Sequence, residues 1–239
     1  MYGTKVCALF TERMENMEEI LKKIEEAVYD GDDEVIEDLV KEALDAGVSP
    51  EDIIQQGGVV ALDRLGEDFN NLVAFLPELM IAGDCMKLLI ATVNPYLQEG
   101  ESAYKGKVVI GCAKGDLHDI GKSLVATQLA VNGYDVVDLG VDVPTNKFMD
   151  TAEAEKADII AVSSLLTTSQ YYMEDLIKRL NSEGKRDQYR VAIGGGPISG
   201  EYAKKIGADG YSRTAAAAVK MADRLMKIKP LEELVIEND

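Results

Sequence analysis

The sequence comprises 239 residues, of which 46% are hydrophobic, with a mean hydropathy near zero. This composition is typical of one large globular domain or two smaller ones, and it excludes extensive disorder and collagen-like repeats. The formal net charge is −18, and residues 1–100 carry 22 acidic side chains against seven basic ones. Because such a surface is repelled by phosphate backbones and anionic lipids, neither nucleic acid nor a membrane is expected as a partner.

No apolar run approaches the roughly 18 residues of a membrane span, and the N-terminus lacks a signal-peptide pattern, so we expect a cytoplasmic protein. The three cysteines, Cys7, Cys85 and Cys112, are odd in number and lack C-x-x-C spacing. This favours buried, small apolar side chains over disulfides or a zinc site.

Four helices are predicted between Glu12 and about Leu97, because apolar residues recur there every three or four positions. The first apolar stripe spans 17–28, the second spans 35–44 and ends at Gly47, the third helix runs from Ser49-Pro50 to about Phe69, and the fourth runs from Leu76-Pro77 to Asn94-Pro95. Antiparallel helices of this kind form a small four-helix bundle.

After Gly100 the pattern changes to short β-branched runs that alternate with helical stretches. Strands are predicted at Lys107–Cys112, Asp135–Leu139, Asp158–Ser163, Arg190–Ile193 and Gly210–Tyr211, and helices at about 120–132, 145–154, 169–182, 199–206 and 214–226. The predicted fold is therefore α/β: a helical bundle (1–98), then a flavodoxin-like, doubly wound domain (99–239) with five parallel strands. The tail from Lys227 is expected to be an exposed extension. Ligands of such sheets bind beyond the carboxyl ends of the strands.

The loop after the first strand, Gly115–Ser123, contains His118, the only histidine of the sequence. Asp116 lies two residues earlier, where a carboxylate can accept the proton of one ring nitrogen and leave the other free as a metal ligand. The sequence provides no second histidine and no paired cysteines. A macrocyclic cofactor that supplies its own equatorial nitrogens fits this shortage of ligands.

The same segment resembles two nucleotide-binding patterns in part but matches neither. Gly121-Lys122-Ser123 resembles the end of a phosphate-binding loop, but Asp116 stands where the first glycine is required and would repel a phosphate. No G-x-G-x-x-G follows the first strand, so a dinucleotide fingerprint is absent as well.

Three short motifs resemble the signature of cobalamin-binding proteins. They are Asp116-x-His118-x-x-Gly121, then Ser163-x-Leu165 after 41 residues, then Gly194-Gly195 after 28 more, each at a predicted strand end. The helical segments Gly66–Phe69 and Phe75–Glu78 are similar to the helical cap of methyl-carrying corrinoid proteins. That family includes the cobalamin module of methionine synthase and the corrinoid proteins of methanol, methylamine, betaine and aryl-ether methyltransferase systems. The resemblance covers roughly residues 12–226.

The resemblance implies that His118 coordinates cobalt in place of the cofactor's own lower base, the base-off, His-on form. Asp116 would bond the other ring nitrogen, and Ser169 would bond Asp116. The displaced nucleotide tail would enter the sheet, where Ser163, Gly194 and Gly195 leave room. Further cofactor contacts are implied for Gly115, Leu117, Asp119, Gly121, Leu165, Thr167 and Tyr211. The cofactor would alternate between methylcob(III)alamin and cob(I)alamin, or the corresponding states of a related corrinoid.

By the same resemblance, Phe69 and Leu76 would cover the upper, methyl-bearing face of the cofactor, although ordinary bundle core is the simpler interpretation of two such residues. The linker Gln98–Lys105 would serve as a hinge that lets this cap open. The implied partners are a substrate-specific methyltransferase, a corrinoid:acceptor methyltransferase using tetrahydrofolate or a thiol, and a reductive activase. The chain would carry the methyl group between them and would not be catalytically complete alone.

Three other classes share part of these features. The cobalamin-binding subunit of a carbon-skeleton mutase shares D-x-H-x-x-G but lacks the four-helix cap. A cobalamin-dependent regulator is disfavoured by the acidic bundle, which has no basic recognition helix. A response regulator has a similar topology, but the third strand ends at Ser163 where a phosphorylatable aspartate is required.

Overall fold

The computed structural model describes residues 2–97 and 104–238. The chain divides into two compact units, Met1–Ala103 and Tyr104–Asp239. Residues 98–103, which include most of the predicted hinge and the predicted domain boundary, lie outside the described residues. Among the described helices, none combines the length and apolar character needed to cross a membrane.

The first unit is a bundle of helices, as the apolar periodicity predicts. Its elements are α1 (Tyr2–Asp30), α2 (Asp33–Ala46), α3 (Pro50–Asp52), a π-helix (Ile53–Val59), α4 (Val60–Asn70), α5 (Leu76–Val93) and a 3₁₀ turn (Asn94–Tyr96). The predicted apolar stripes form its core, where Ile24, Val40 and Leu89 are fully buried. Helix α1 begins earlier than expected, at Tyr2 rather than near Glu12.

The predicted third helix is interrupted by the π-helical segment, which the sequence pattern does not reveal. Gly57 and Gly58 lie in this segment. A Cβ atom at Gly57 would collide with Ile24 of α1, and one at Gly58 would collide with Met86 of α5. The two glycines thus allow neighbouring helices to approach closely on both sides.

The second unit is a parallel sheet covered by helices. Its strands are β1 (Lys107–Cys112), β2 (Asp135–Asp138), β3 (Ile159–Ser163), β4 (Arg190–Gly194), β5 (Gly210–Ser212) and β6 (Val235–Glu237), and its helices are α6 (Ile120–Val131), α7 (Thr145–Glu155), α8 (Gln170–Ser182), α9 (Gly200–Ile206) and α10 (Ala215–Leu225). The strand order is β2-β1-β3-β4-β5-β6, and every pair is parallel. The predicted doubly wound α/β fold is therefore confirmed.

The sheet has six strands rather than the predicted five. The sixth is formed by the tail that was expected to be an exposed extension, and its Val235 is fully buried against the core that includes Leu225 of α10. A strand of three residues is too short to show a period-2 pattern, and its pairing with β5 is a tertiary contact.

The register of the strands explains the spacing of the three motifs. Ser163 of β3 pairs with Cys112 of β1 on one side and with Gly194 of β4 on the other, and Gly194 pairs with Ser212 of β5. The motifs therefore meet at one edge of the sheet. The strand order reverses between β1 and β3, which is the position where open α/β sheets bind ligands.

Candidate functional site

His118 and Asp116 form a hydrogen-bonded pair at the strand-order reversal. The His118 ring nitrogen Nδ1 lies 2.8 Å from Asp116 Oδ1, and the same oxygen accepts the His118 backbone N–H at 3.0 Å. The His118 side chain is 53% exposed, whereas Asp116 is fully buried. Nδ1 of the ring is thus bound by a buried carboxylate, while about half of the side chain remains exposed.

The second oxygen of Asp116 is bound by the loop after β3. Oδ2 accepts the backbone N–H groups of Leu165 at 2.5 Å and Leu166 at 3.2 Å, and it lies 3.1 Å from the Ser164 hydroxyl. The Ser164 hydroxyl also lies 2.9 Å from the Leu166 carbonyl oxygen, and because it has one proton it donates to one of these acceptors at a time. The leucine of the S-x-L motif therefore acts through its backbone amide.

These contacts decide which nitrogen of His118 carries the proton. Burial by itself raises the pKa of the Asp116 carboxyl, but the hydrogen bonds from His118, Leu165 and Leu166 outweigh it and lower this pKa to about 2. Asp116 is therefore an ionised acceptor at neutral pH, and the proton between the two side chains belongs to Nδ1. In the neutral ring this leaves the lone pair of Nε2 available to a metal ion.

Ser169 does not make the predicted contact with Asp116. Its side chain is buried in the short 3₁₀ turn Thr167–Ser169, and the hydroxyl beside the carboxylate is that of Ser164. Sequence reasoning did not select Ser164, because its hydroxyl and that of Ser163 are adjacent and only the fold decides which one turns toward Asp116. The neighbouring Thr167 is exposed.

A cavity of about 810 Å³ lies between the sheet and helices α6 and α10, within the size range of small-molecule sites. Small side chains line part of it, namely Ala161, Ser163, Ala192 and Gly194 on the sheet and Ala215, Ala218 and Ala222 on α10, and larger ones such as Ile110, Leu129 and Met221 line the rest. Gly121, Gly195 and Tyr211 also line it. A pocket of this size, lined by both apolar and polar side chains, is a candidate site for a small molecule.

Gly194 and Gly195, predicted together as a pair, have different roles. A Cβ atom at Gly194 would make only ordinary contact, 3.5 Å from the Ser212 carbonyl oxygen. A Cβ atom at Gly195 would overlap the Ser164 carbonyl group, and the φ angle of Gly195, +125°, suits glycine alone. Gly195 therefore lets the loop after β4 press against the loop that binds Asp116, whereas Gly194 leaves the cavity open.

The remaining predicted residues are placed as follows. Leu117 and the adjoining Ile120 are 69% and 82% exposed, so apolar surface flanks His118. Asp119 is exposed and precedes α6. The Tyr211 hydroxyl donates to the Ile198 carbonyl oxygen.

In the bundle, Phe69 and Leu76 flank the turn between α4 and α5, and both are half-buried. Three exposed apolar side chains lie in the same turn, namely Leu72, Val73 and Phe75. The covering role of Phe69 and Leu76 stays a prediction.

Two family descriptions match the chain, both as B12 binding domains, over residues 20–94 and 106–220. The trimethylamine corrinoid protein of Methanosarcina barkeri is 39% identical over 208 residues, which cover 86% of this chain and 96% of the relative. A corrinoid protein of Desulfitobacterium hafniense is 37% identical over 212 residues, 87% of this chain and 97% of that protein.

Among solved structures, a chain of the methanol:cobalamin methyltransferase complex from Methanosarcina barkeri matches with a TM-score of 0.77 and 29% identity, covering 90% of this chain and 82% of that one. The fold and both matched domains define a B12-binding protein. The chain belongs to the family of cobalamin-binding corrinoid proteins.

The residues of the site fit this cofactor. No group of three or more His, Cys, Asp or Glu side chains in the described part of the chain is arranged to hold a metal ion, so a macrocycle that brings four equatorial nitrogens suits a site offering Nε2 of His118 alone. The exposed apolar side chains beside His118 suit the face of a macrocycle. The cavity provides the volume for a nucleotide tail.

Proposed function

We propose that this protein carries a methyl group on a bound corrinoid, between a substrate-specific methyltransferase and an acceptor methyltransferase. The observation that carries the proposal is the His118–Asp116 pair, with Nδ1 of His118 bound at 2.8 Å and Nε2 available. The likeness to a chain of a methanol:cobalamin methyltransferase complex and to a trimethylamine corrinoid protein supports a methyltransferase partner. The match of residues 20–94, which form the bundle, to a B12 binding domain favours this role over that of a mutase subunit, which lacks the helical cap. The acidic charge of the bundle favours it over that of a regulator that binds DNA.

When bound, the corrinoid supplies a cobalt ion that accepts and donates the methyl group. His118 would bind this ion through Nε2, the base-off, His-on form, while Asp116 keeps the Nδ1 proton in place and fixes the plane of the ring. The loop after β3 holds Asp116 ionised. The cavity between the sheet, α6 and α10 would receive the nucleotide tail, with Ser163 and Gly194 in its wall.

The remaining roles complete the proposal. Phe69 and Leu76 would shield the upper face of the cofactor, and Gly115, Leu117, Asp119, Gly121, Leu165, Thr167, Ser169, Gly195 and Tyr211 would contact or frame it. An acceptor methyltransferase that uses tetrahydrofolate or a thiol would remove the methyl group, and a reductive activase would restore the reduced cofactor after oxidation. The cytoplasm is the proposed location.

The test is transfer of methyl groups by the reconstituted holoprotein. The protein is loaded with hydroxocobalamin, reduced, and mixed with a methanol, monomethylamine or trimethylamine methyltransferase and the matching substrate. We expect at least one pair to convert the bound corrinoid to its methylated absorption spectrum, and free cobalamin at equal concentration to react far more slowly. A holoprotein that retains the corrinoid but is methylated by none of them, while methyl iodide methylates it readily, would contradict the methylamine and methanol assignment. Failure to retain cobalamin on gel filtration would contradict the function itself.

A further inference from the structure

The connection between β2 and α7 runs beside the loop that carries His118. The Cys112 backbone N–H donates to the Gly140 carbonyl oxygen at 2.9 Å, and the Val143 N–H donates to the Cys112 carbonyl oxygen at 3.0 Å. Ala113 and Val143 form a further parallel bridge. The two segments therefore stay paired beyond the ends of their strands, up to the first residues of the loop.

Asp142 extends this pairing to three consecutive residues of the loop. Its carboxylate oxygen Oδ1 accepts the Gly115 backbone N–H at 2.8 Å, and Oδ2 forms an ion pair with Lys114 Nζ at 2.8 Å. Its own backbone N–H donates to the Asp116 carbonyl oxygen at 2.9 Å. One residue thus binds both the main chain and a side chain of the segment that leads to His118.

The backbone conformation of Asp142 is costly for a residue with a side chain. Its φ angle is +54°, in the left-handed region that only a few per cent of non-glycine residues occupy. Such conformations persist where the surroundings determine them, and they cluster at functional sites. The side chain is 42% exposed, so its removal leaves no hole in the core.

Asp116 is consequently anchored from two sides. The loop after β3 binds its side chain through the amides of Leu165 and Leu166, and Asp142 binds its main chain. Gly115, which precedes it, has a φ angle of +83° and would turn freely without a fixed amide. The Asp116 N–H also donates to the Ala113 carbonyl oxygen at 3.0 Å, and the His118 carbonyl oxygen accepts the Cys112 thiol at 3.3 Å. Asp142 adds the anchor on the Asp116 carbonyl, between these two contacts.

We propose that Asp142 is a positioning residue for His118, holding the loop so that Nε2 points at the cobalt of the bound corrinoid. This inference rests on the proposed function, because it takes His118 as the cobalt ligand. Asp142 lies outside the D-x-H-x-x-G motif and touches no reacting atom. Its effect is on the equilibrium between the ligated and the dissociated histidine.

The experiment compares four holoproteins loaded with cob(II)alamin: wild type, Asp142→Ala, Asp142→Asn and Glu153→Ala. Electron paramagnetic resonance measures the fraction of cobalt that shows nitrogen coupling, and His118→Ala defines the signal without histidine. For Asp142→Ala we expect the ratio of ligated to dissociated histidine to fall about threefold, less than the roughly tenfold or more that is usual when a direct partner of a metal ligand is lost, because Asp142 acts through the backbone of the loop. Asp142→Asn keeps an oxygen for the Gly115 amide and tolerates the left-handed φ, so it should restore most of the ratio. Glu153→Ala removes another surface ion pair of the same unit, that with Lys185, and should match wild type.

A second readout needs no cofactor. In the apoprotein, the Gly115 amide should exchange with solvent deuterium about tenfold faster in Asp142→Ala than in wild type, because its acceptor is gone. If Asp142→Ala folds poorly, Asp142→Gly replaces it, since glycine removes the carboxylate and suits the φ angle. If Asp142→Ala and Asp142→Gly both kept the nitrogen coupling of wild type, this inference would be overturned and the proposed function would stand. Absence of nitrogen coupling in wild type would overturn the proposed function and this inference with it.

Discussion

The loop around His118 is dense with hydrogen bonds, whereas the cavity between the sheet, α6 and α10 is lined mainly by small and apolar side chains. The Asp116 carboxylate alone accepts three backbone N–H groups and a ring N–H. On the cavity wall, Ala161, Ala192 and Gly194 offer no polar side chain at all. Hydrogen bonds would therefore orient a ligand at the His118 loop. In the cavity, a ligand would be accommodated because small side chains leave space for it. Substitutions in the two regions should fail in different ways.

The largest expected effect is that of His118→Ala on the loop. Because no other imidazole exists in the sequence, nitrogen coupling of bound cob(II)alamin should vanish completely, while the cavity still retains the nucleotide tail. Electron paramagnetic resonance and gel filtration of the loaded protein measure the two properties separately. Labelling the protein with nitrogen-15 histidine separates this coupling from that of the cofactor's own base. A wild-type coupling that does not respond to the label would mean that the lower ligand is not this histidine.

A larger side chain in the cavity should weaken binding of the cofactor, the property that His118→Ala is expected to leave intact. Ser163→Leu places two additional heavy atoms in the cavity and should weaken cobalamin binding by about 10- to 100-fold, the equivalent of about 1–3 kcal/mol of overpacking. The apoprotein should unfold at an unchanged or higher temperature, because the added side chain fills space.

The matched variant is Ser163→Ala, which keeps the space and removes only the hydroxyl. Equilibrium dialysis should show a loss of less than about tenfold for it, close to that of one hydrogen bond. Equal losses for leucine and alanine would mean that the hydroxyl of Ser163, rather than the space beside it, governs binding.

Gly194 and Gly195 are adjacent, but only Gly195 is expected to be required for folding, so alanine substitutions should separate their roles. Gly195→Ala should destabilise the apoprotein by about 1–3 kcal/mol, because of its left-handed φ angle and the overlap with the Ser164 carbonyl group. Gly194→Ala should cost less than about 1 kcal/mol, since its Cβ would meet only an ordinary contact. Urea unfolding of both apoproteins checks the order, and a reversed order would contradict the different roles assigned to them.

The smallest expected effect is that of Ser164→Ala. It removes one partner of Asp116 but leaves the Leu165 and Leu166 amides, so we expect about 1 kcal/mol or less in unfolding free energy and a small decrease in the ligated fraction of His118. Ser182→Ala is the control, because its hydroxyl donates to the Arg179 carbonyl oxygen at the end of α8 and lies outside the proposed site. A larger effect of Ser169→Ala than of Ser164→Ala on histidine ligation would indicate that the loop rearranges when the cofactor binds.

Local periodicity and short motifs were sufficient to predict most of the secondary-structure elements and the core of the candidate site. The apolar stripes of the bundle and the alternation of β-branched runs with helices specify the elements, because helices and buried strands each impose their own period on the side chains. Strand β1 was predicted at its exact bounds. The His118–Asp116 contact was also predictable, because two residues in one tight loop cannot lie far apart.

The sequence by itself therefore determined the element types, the α/β class and the histidine–aspartate pair, since each depends on residues close together in the chain. Only the tertiary structure decided the pairing of β6 with β5, the choice of Ser164 over Ser169, the reason why position 195 must be glycine, and the contact of Asp142 with the Gly115 amide. Each of these contacts joins segments that are distant in the sequence, so no local pattern predicts it. Whether a hydroxyl, a Cβ atom or an amide meets a partner there depends on strand order and register, which the packing of the whole sheet sets.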